Sequence, residues 1–421
     1  MSEWPRLRLF EGFGIELEYM IVDRETLDVK PIAQDLLRAA GGGDSEDVEH
    51  GDIAWSNELA AHVIEFKTNG PARDLRDLAK SFQREVEIAN GLLAPMGACL
   101  MPTAAHPWMD PHRETMLFPG EYSIVYSTYD RIFNCKGHGW SNLQSVHINL
   151  PFHDDGEFGR LHAAVRLVLP ILPALAASSP VLELKRQTSL DSRLEFYKTN
   201  SRRIPSITGH VIPEPVFTEA DYDREIFQRT YRDIAPHDPE GVLQEEFLNS
   251  RGAIARFSRG AIEIRVLDIQ ESPQADIDIC RAVIAVLQTL VDERFAGYDA
   301  QKEFDTLELK EIFDETVRNA GHAVLASRHG EYVRALTGER LDGMTVRELW
   351  VKILEKCAPA LLEESIALRT ILDPRGGSLS ERILRRLGSH DHWPKNEVQA
   401  VYRDLCTALQ SNGVFAASGT T

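Results

Sequence analysis

Residues 14–23, GIELEYMIVD, alternate apolar and polar positions through a run with strong strand propensity. Successive side chains of a strand point to opposite faces. Ile15, Leu17, Tyr19 and Ile21 therefore share an apolar face, and Glu16, Glu18, Met20 and Val22 share the other. Three further stretches are expected to be strands. AAHVIEFKTNGP (60–71) ends at Asn69-Gly70-Pro71, SNLQSVHINLP (141–151) stops at Pro151, and RGAIARFSRGAIEIRVLD (251–268) reads as a loop entering a strand. Helical spacing predicts a short helix over 32–40, closed by Gly41, Gly42 and Gly43. A second helix follows Pro71 with Leu75, Leu78, Phe82 and Val86 on one face, and an apolar helix interrupted by prolines covers 157–178. Residues 99–140 are loop-rich, and 180–215 are irregular and strongly basic. From Ser272 onward helical periods dominate, over 274–295, 308–326, 345–357, 360–371, 378–387 and 395–410. Strands first and helices last argue for an α+β architecture with an antiparallel sheet. The expected division is an α+β domain over 1–295 and a helical extension over 296–421.

Composition and charge narrow the function. The 421 residues are 43% hydrophobic and 26% charged, as in a globular chain. A net charge of −19 argues against nucleic acid or an anionic membrane as the main partner, but leaves room for an anionic small substrate at a local basic patch. The segment MSEWPRLRLF lacks the basic and apolar regions of a signal peptide. The longest apolar stretch, Leu167 to Ala177, is too short to span a membrane and contains Pro170 and Pro173. Five scattered cysteines without a CxxC pair predict reduced thiols and a cytoplasmic location.

The polar faces of the strands carry the chemistry. Glu16 and Glu18 are joined by Glu65, which shares a face with Val63 and Lys67. Glu58 precedes Glu65 by an odd number of positions, so it must lie before that strand or past a bulge to reach the same site. His147 and Asn149 share one face, as do Glu263 and Arg265. A solvated sheet face would show the same alternation. Its usual residues are Lys, Thr, Ser and Gln, however, whereas here they are acids, one His, one Asn and one Arg. If the four strands adjoin, five glutamates and a histidine cluster, and such a cluster requires cations. Opposing charge comes from Arg251, Arg256 and Arg259 on a Gly-bracketed loop, and from Arg193, Lys198, Arg202 and Arg203. Arginine forks suit phosphate and carboxylate oxygens. Together these describe a site for a metal–nucleotide complex. P-loop and Rossmann fingerprints are missing: GFG at 12–14 and GHG at 137–139 lack the rest of the motif. The mixture of His106, Trp108, Asp110, His112, Tyr122, Tyr126, Tyr129, His138 and Trp140 fits either a substrate lid or an ordinary covering loop.

In order and spacing, GIELEYMIVD, NELAAHVIEFKT, QSVHINLP and RGAIARFSRGAIEIRVLD resemble the glutamate–cysteine ligase-like carboxylate–amine ligases, relatives of glutamine synthetase. The resemblance covers residues 10–295. It implies a curved, glutamine synthetase-like antiparallel sheet flanked by helices, with ATP and Mg2+ or Mn2+ as cofactors. By resemblance, Glu16, Glu18, Glu58, Glu65, His147 and Glu263 are metal ligands or their close neighbours. Arg251, Arg256 and Arg259 would face the ATP phosphates, and Arg256 and Arg265 would act in catalysis. Asn149, Arg186, Tyr197, Lys198 and Arg203 would contact substrate. The implied reaction activates a carboxylate, such as that of glutamate, as an acyl phosphate that an amine then attacks. The chain departs from the family where an Arg-Asp-Thr-Gly stretch and Ser-Tyr-Arg are usual: LKRQTSLDSRLEFYKTN has Arg186-Gln187-Thr188-Ser189 and then Phe196-Tyr197-Lys198. A non-catalytic nucleotide- or metabolite-binding relative and a phosphagen-kinase-like phosphotransferase are the alternatives. The helical tail is read as a homo-oligomer surface, a lid or a partner-binding element.

Overall fold

The computed structural model describes residues 6–42, 47–120 and 122–416. The segment 1–5 and Gly43, part of the expected helix closure, lie outside them. Among the described residues ten strands form: β1 (Gly14–Asp23), β2 (Asp47–His50), β3 (Ile53–Asn57), β4 (Val63–Thr68), β5 (Ala98–Met101), β6 (Ser145–Pro151), β7 (Val181–Leu182), β8 (Lys185–Arg186), β9 (Ala253–Arg256) and β10 (Ala261–Asp268). Eight of them make one open, curved sheet in the order β2-β3-β4-β1-β6-β10-β9, with β5 on β1, and every ladder is antiparallel. This is the α+β class the alternation implied. The four expected strands all adjoin, with β1 at the centre.

The apolar face of β1 packs as its period requires. Ile15, Leu17, Tyr19 and Ile21 are fully buried and join Trp55, Phe66, Ile148 and Ile264 in one core. Helices Leu78–Leu93, Asp155–Val168 and Pro273–Val291 close that core through Phe82, Val86, Leu161, Val165 and Val283. The other face of β1 divides in two. Glu16 and Glu18 belong to a polar half, whereas Met20 and Val22 enter a second core with Met101, Ile383, Trp393 and Leu405. Helices Leu379–Leu387 and Lys395–Ser411 supply most of that second core.

Several elements differ from their expected form. Residues 251–268 are a hairpin of two strands, not a loop and one strand. Residues expected to be loop contain the helix Ser123–Phe133, and the expected helix at 360–371 is two helices that meet at Ser365, whose hydroxyl caps the second. The helix Gly330–Thr337 was absent from the expected set. The main core runs across position 295: Phe313, Leu336, Trp350 and Leu368 belong to the same cluster as Ile15.

Candidate active site

The register of β1 with its neighbours gathers the acids. Glu18 lies directly opposite Glu65 on β4, and Glu16 lies between Lys67 on β4 and His147 on β6. Asn149 lies between Gly14 and Glu263 on β10. A Cβ at Gly14 would meet the Asn149 Cβ at 2.9 Å, so glycine is what lets the two strands close at this point. Glu58 follows the end of β3 and precedes β4, the placement that its odd spacing from Glu65 demanded.

A hydrogen-bond network fixes the cluster. His147 Nδ1 is 2.7 Å from Glu16 Oε2, and Asn149 donates to Glu16 Oε1 at 3.0 Å. The Ser145 N–H and hydroxyl both donate to Glu18 Oε2, at 2.7 and 3.1 Å, and the hydroxyl is also 2.9 Å from His147 Nε2. Ser56 Oγ donates to Glu65 Oε1 at 2.6 Å. Two sets of ligand atoms lie within 4.8 Å of one another: one from Glu16, His147 and Glu263, the other from Glu18, Glu65 and His147. Imidazole and carboxylates in such sets suit a divalent cation.

The titration of these groups reports excess negative charge. Burial raises the Glu16 carboxyl, but the hydrogen bond and charge of His147, with Lys67 and Arg265, outweigh it and hold Glu16 at about 2. Burial disfavours a charged His147, yet Glu16 and Glu18 carry it up to about 9. Burial and the charge of Glu16 push Glu65 up to about 7 against Lys67 and Ser56. Burial, then Glu18 and Glu65, raises Glu58 well above the carboxylate range. His147, Lys67, Arg256 and Arg265 do not fully offset five glutamates, and a cation would relieve Glu58 and Glu65 together.

Two arginines border the acids. Arg256 donates to Glu263 Oε2 at 2.9 Å, and Arg265 Nε lies 2.9 Å from Glu263 Oε1 without the alignment of a hydrogen bond. Both keep a buried Nε without a hydrogen-bond partner. For Arg256 this holds although Glu246 lies 3.7 Å away. Unsatisfied buried guanidinium donors are rare, and planar forks fit phosphate oxygens. Tyr197 lies at the edge of this group, where Arg265 acts on its buried hydroxyl.

Other expected site residues lie elsewhere. The buried Arg251 spends its guanidinium on Glu214, at 2.5 and 2.6 Å, and on Ser206 O and Asn249. Redirecting it to a ligand would leave the half-buried Glu214 without its partner and the buried guanidinium without its counter-charge, which is costly. Arg259 is exposed in the β9–β10 turn. Arg186 is exposed on β8 and lines a groove with Arg318 and His322. Lys198 pairs with Asp314 and Glu195, and Arg203 donates to Ile132 O. Of the expected lid, Tyr126 accepts a bond from Asn57 at the end of β3, whereas Tyr129 and Trp140 pack on each other and on Phe133.

Sequence reasoning did not single out Ser145 or Ser56, and it named Arg193 only as one cation of a basic stretch. Ser145 shares the His147 face by period two, a signal that was present. Ser56 sits on β3, a strand with no clear signal of its own. Arg193 is buried, donates to Asp268 Oδ1 at 2.5 Å and reaches Arg265 O at 3.4 Å, so it supports β10 behind Arg265.

Known proteins resemble this chain in sequence and in fold. The model of glutamate-cysteine ligase family 2 matches residues 12–405. An uncharacterized protein of Archaeoglobus fulgidus is 34% identical over 66% of this chain and 75% of its own length. A protein of Cupriavidus metallidurans, provisionally named glutamate–cysteine ligase 2, is 29% identical over 67% of this chain and 68% of its own. Among solved structures, the glutamate–cysteine ligase of Francisella tularensis in complex with AMP superposes with a TM-score of 0.58 at 13% identity, over 97% of this chain and 90% of that one. A bifunctional glutathione synthetase of Pasteurella multocida gives 0.56 at 14% identity, over 94% of this chain and 53% of that one. At such identities these two structures establish the shared fold. No helix among the described residues is long and apolar enough to cross a membrane.

Proposed function

The chain belongs to glutamate-cysteine ligase family 2, and from that premise we propose that it is an ATP-dependent carboxylate–amine ligase that works through an acyl phosphate. The observation that carries the reading is the sheet face on which two cation-ligand sets adjoin Arg256 and Arg265. Glu16, Glu18, Glu65, His147 and Glu263 would hold Mg2+ or Mn2+, with Glu58 close by. Bound cations would neutralise phosphate oxygens during transfer. Arg256 and Arg265 would meet the nucleotide phosphates and the acyl phosphate, where charge stabilisation and positioning provide most of the acceleration. Ser145 and Asn149 orient the acids, and Tyr126 stands at the β3 side of the site. AMP in the Francisella relative supports a nucleotide here. The substrates in this reading are an amino acid carboxylate, such as that of glutamate, and an amine. Lys198 and Arg203 are engaged with other partners and Arg186 is exposed on β8, so glutamate plus cysteine is not carried over as the substrate pair.

The test is ADP release with Mg2+ and a panel of carboxylates and amines, wild type beside Glu16→Gln. The reading expects release that needs both a carboxylate and an amine and falls at least about 100-fold in the variant, in line with loss of a metal-site group. Release with an amine or guanidine alone, yielding a stable phosphorylated product, would instead establish a phosphotransferase. No turnover with any pair, and equal nucleotide affinity in both proteins, would remove the metal assignment.

A further inference from the structure

Strand β5 places Cys99 opposite Val22 of β1. Opposed residues of a ladder share a face, and the Val22 face is the one covered by the C-terminal helix Lys395–Ser411. That helix brings Cys406 onto the same patch, and both cysteines pack at its partly buried margin. The two thiols interact across the strand–helix contact, although they are far apart in the sequence. We propose that Cys99 and Cys406 are a redox-modification site, closing to a reversible disulfide that staples the C-terminal helix to the central sheet.

This pair differs from the other cysteines. Cys135 and Cys280 are buried, and burial raises both thiols, which keeps them as inert packing groups. Cys357 is partly buried, and its thiol is likewise pushed up, to about 11. Cys99 moves the other way: its interaction with Cys406, assisted by Arg24 and Arg403 and opposed by burial and Asp23, lowers its thiol, while the same interaction and burial raise Cys406, so Cys99 is the attacking thiol and Cys406 the resolving one. Arg403 is held beside it by bonds to Arg24 O at 3.1 Å and Glu25 O at 2.7 Å. A partly exposed thiol of lowered pKa near fixed cations, with a second thiol in contact, is the arrangement that exchanges disulfides readily.

The oxidant is a low-molecular-weight disulfide. The Cys99 thiolate attacks one of its sulfurs, forms a mixed disulfide and expels the first small thiolate, which takes a proton from solvent. Cys406 then loses its proton to solvent and attacks the Cys99 sulfur, forming the protein disulfide and expelling the second small thiolate. Each cysteine sulfur gives up one electron and the small disulfide gains two. The product joins an element over Met20 and Val22 to the sheet whose other half carries Glu16 and Glu18, and it constrains the unfolded chain across a very long loop.

The full-length protein is treated under native conditions with 2-hydroxyethyl disulfide. The expected result is loss of two of the five thiols, an intact mass lower by two hydrogens with no adduct, and a peptide map joining Cys99 to Cys406. Dithiothreitol should reverse all three. The oxidised protein should also unfold at a higher temperature than the reduced one. Cys99→Ser and Cys406→Ser should each block the internal bond, leaving the remaining cysteine free or carrying one mercaptoethanol adduct. Retention of all five thiols, adducts without an internal bond, or a bond between any other pair would overturn the proposal. The wild-type peptide map decides this even if a serine variant folds poorly.

Discussion

Ser145 shows how a single hydroxyl can orient an acidic site. It completes two bonds to Glu18 Oε2 and touches His147 Nε2. In the ligase reading its removal leaves Glu18 with the backbone bond alone and frees His147 to turn. Ser145→Ala is expected to weaken Mn2+ binding about 10-fold, as loss of a group that orients a ligand does, while costing about 1 kcal/mol of stability. Calorimetric titration of both proteins checks this, and unchanged affinity would reduce Ser145 to a packing residue. A second prediction concerns His106. Its Nε2 bonds to Leu27 O at 2.7 Å while Nδ1 accepts from Trp108 N and Met109 N, so one neutral tautomer is held. Burial lowers this histidine to about 4, against the opposing Leu27 carbonyl and Asp28. The folded state then binds fewer protons than the unfolded state between about pH 4 and 6.5, and stability falls as pH drops through that window. The slope is about 1.4 kcal/mol per pH unit from this group. Urea midpoints at pH 7 and pH 5 should diverge in the wild type and diverge less in His106→Gln. At this scale the glutamates, His147 and Arg265 were legible because period two exposes a polar face. Arg251 was misleading: its loop carries three arginines in a row of equal promise, and only the partner Glu214, distant in sequence, shows which of them is interior.

At the scale of elements, legibility followed how many faces were covered. Strands β1, β4, β6 and β10 keep one polar face and alternate, so each was found. β5 reads ACLM, with Met101 and Cys99 on the face beneath the C-terminal helices and Leu100 in the main core. A strand buried on both faces loses its period. β3 alternates Ile53 and Trp55 with Ala54 and Ser56, but five residues beside polar turns give little signal. Its anchor is Glu85 on the helix Leu78–Leu93, a fully buried carboxylate. Glu85 Oε2 accepts a hydrogen bond from Trp55 Nε1 at 3.0 Å and lies 2.9 Å from His50 Nδ1. Glu85→Ala would leave the buried indole N–H without a partner and open a void beneath β3. The expected loss is about 3 kcal/mol, measured as a shift in denaturant midpoint. Trp55→Phe in the same background should recover part of it, because no unpaired donor then remains. Equal losses with and without Trp55 would show that the indole bond is not the link between helix and strand.

For the whole molecule, a boundary near 295 follows from the change from strand to helix periods, but a period says nothing about which core an element enters. Tyr332 donates to Leu167 O at 2.7 Å and Trp350 to Ile171 O at 2.8 Å, so the late helices are bonded into the earlier part of the chain. We propose that the segment beyond 295 folds only together with the sheet, and Arg382 tests this. It is 2% exposed, pairs with Glu271 at 2.5 and 3.2 Å, and donates to Phe415 O at 2.8 Å, so it links the end of the sheet region to the last two helices. Removing one partner of a buried ion pair leaves an uncompensated charge, at a cost of about 3–5 kcal/mol. Replacing both with apolar groups of similar volume is often near neutral. Arg382→Met is therefore expected to lower the unfolding temperature of the entire protein in a single transition. Arg382→Met combined with Glu271→Met should regain most of the loss. A separable helical extension would behave differently: Arg382→Met would split calorimetric unfolding into two transitions and leave the one that reports the sheet in place. One shifted transition, restored by the second substitution, is the result required if the helices that cover Met20 and Val22 belong to the same cooperative unit as the strands that carry Glu16, His147 and Glu263.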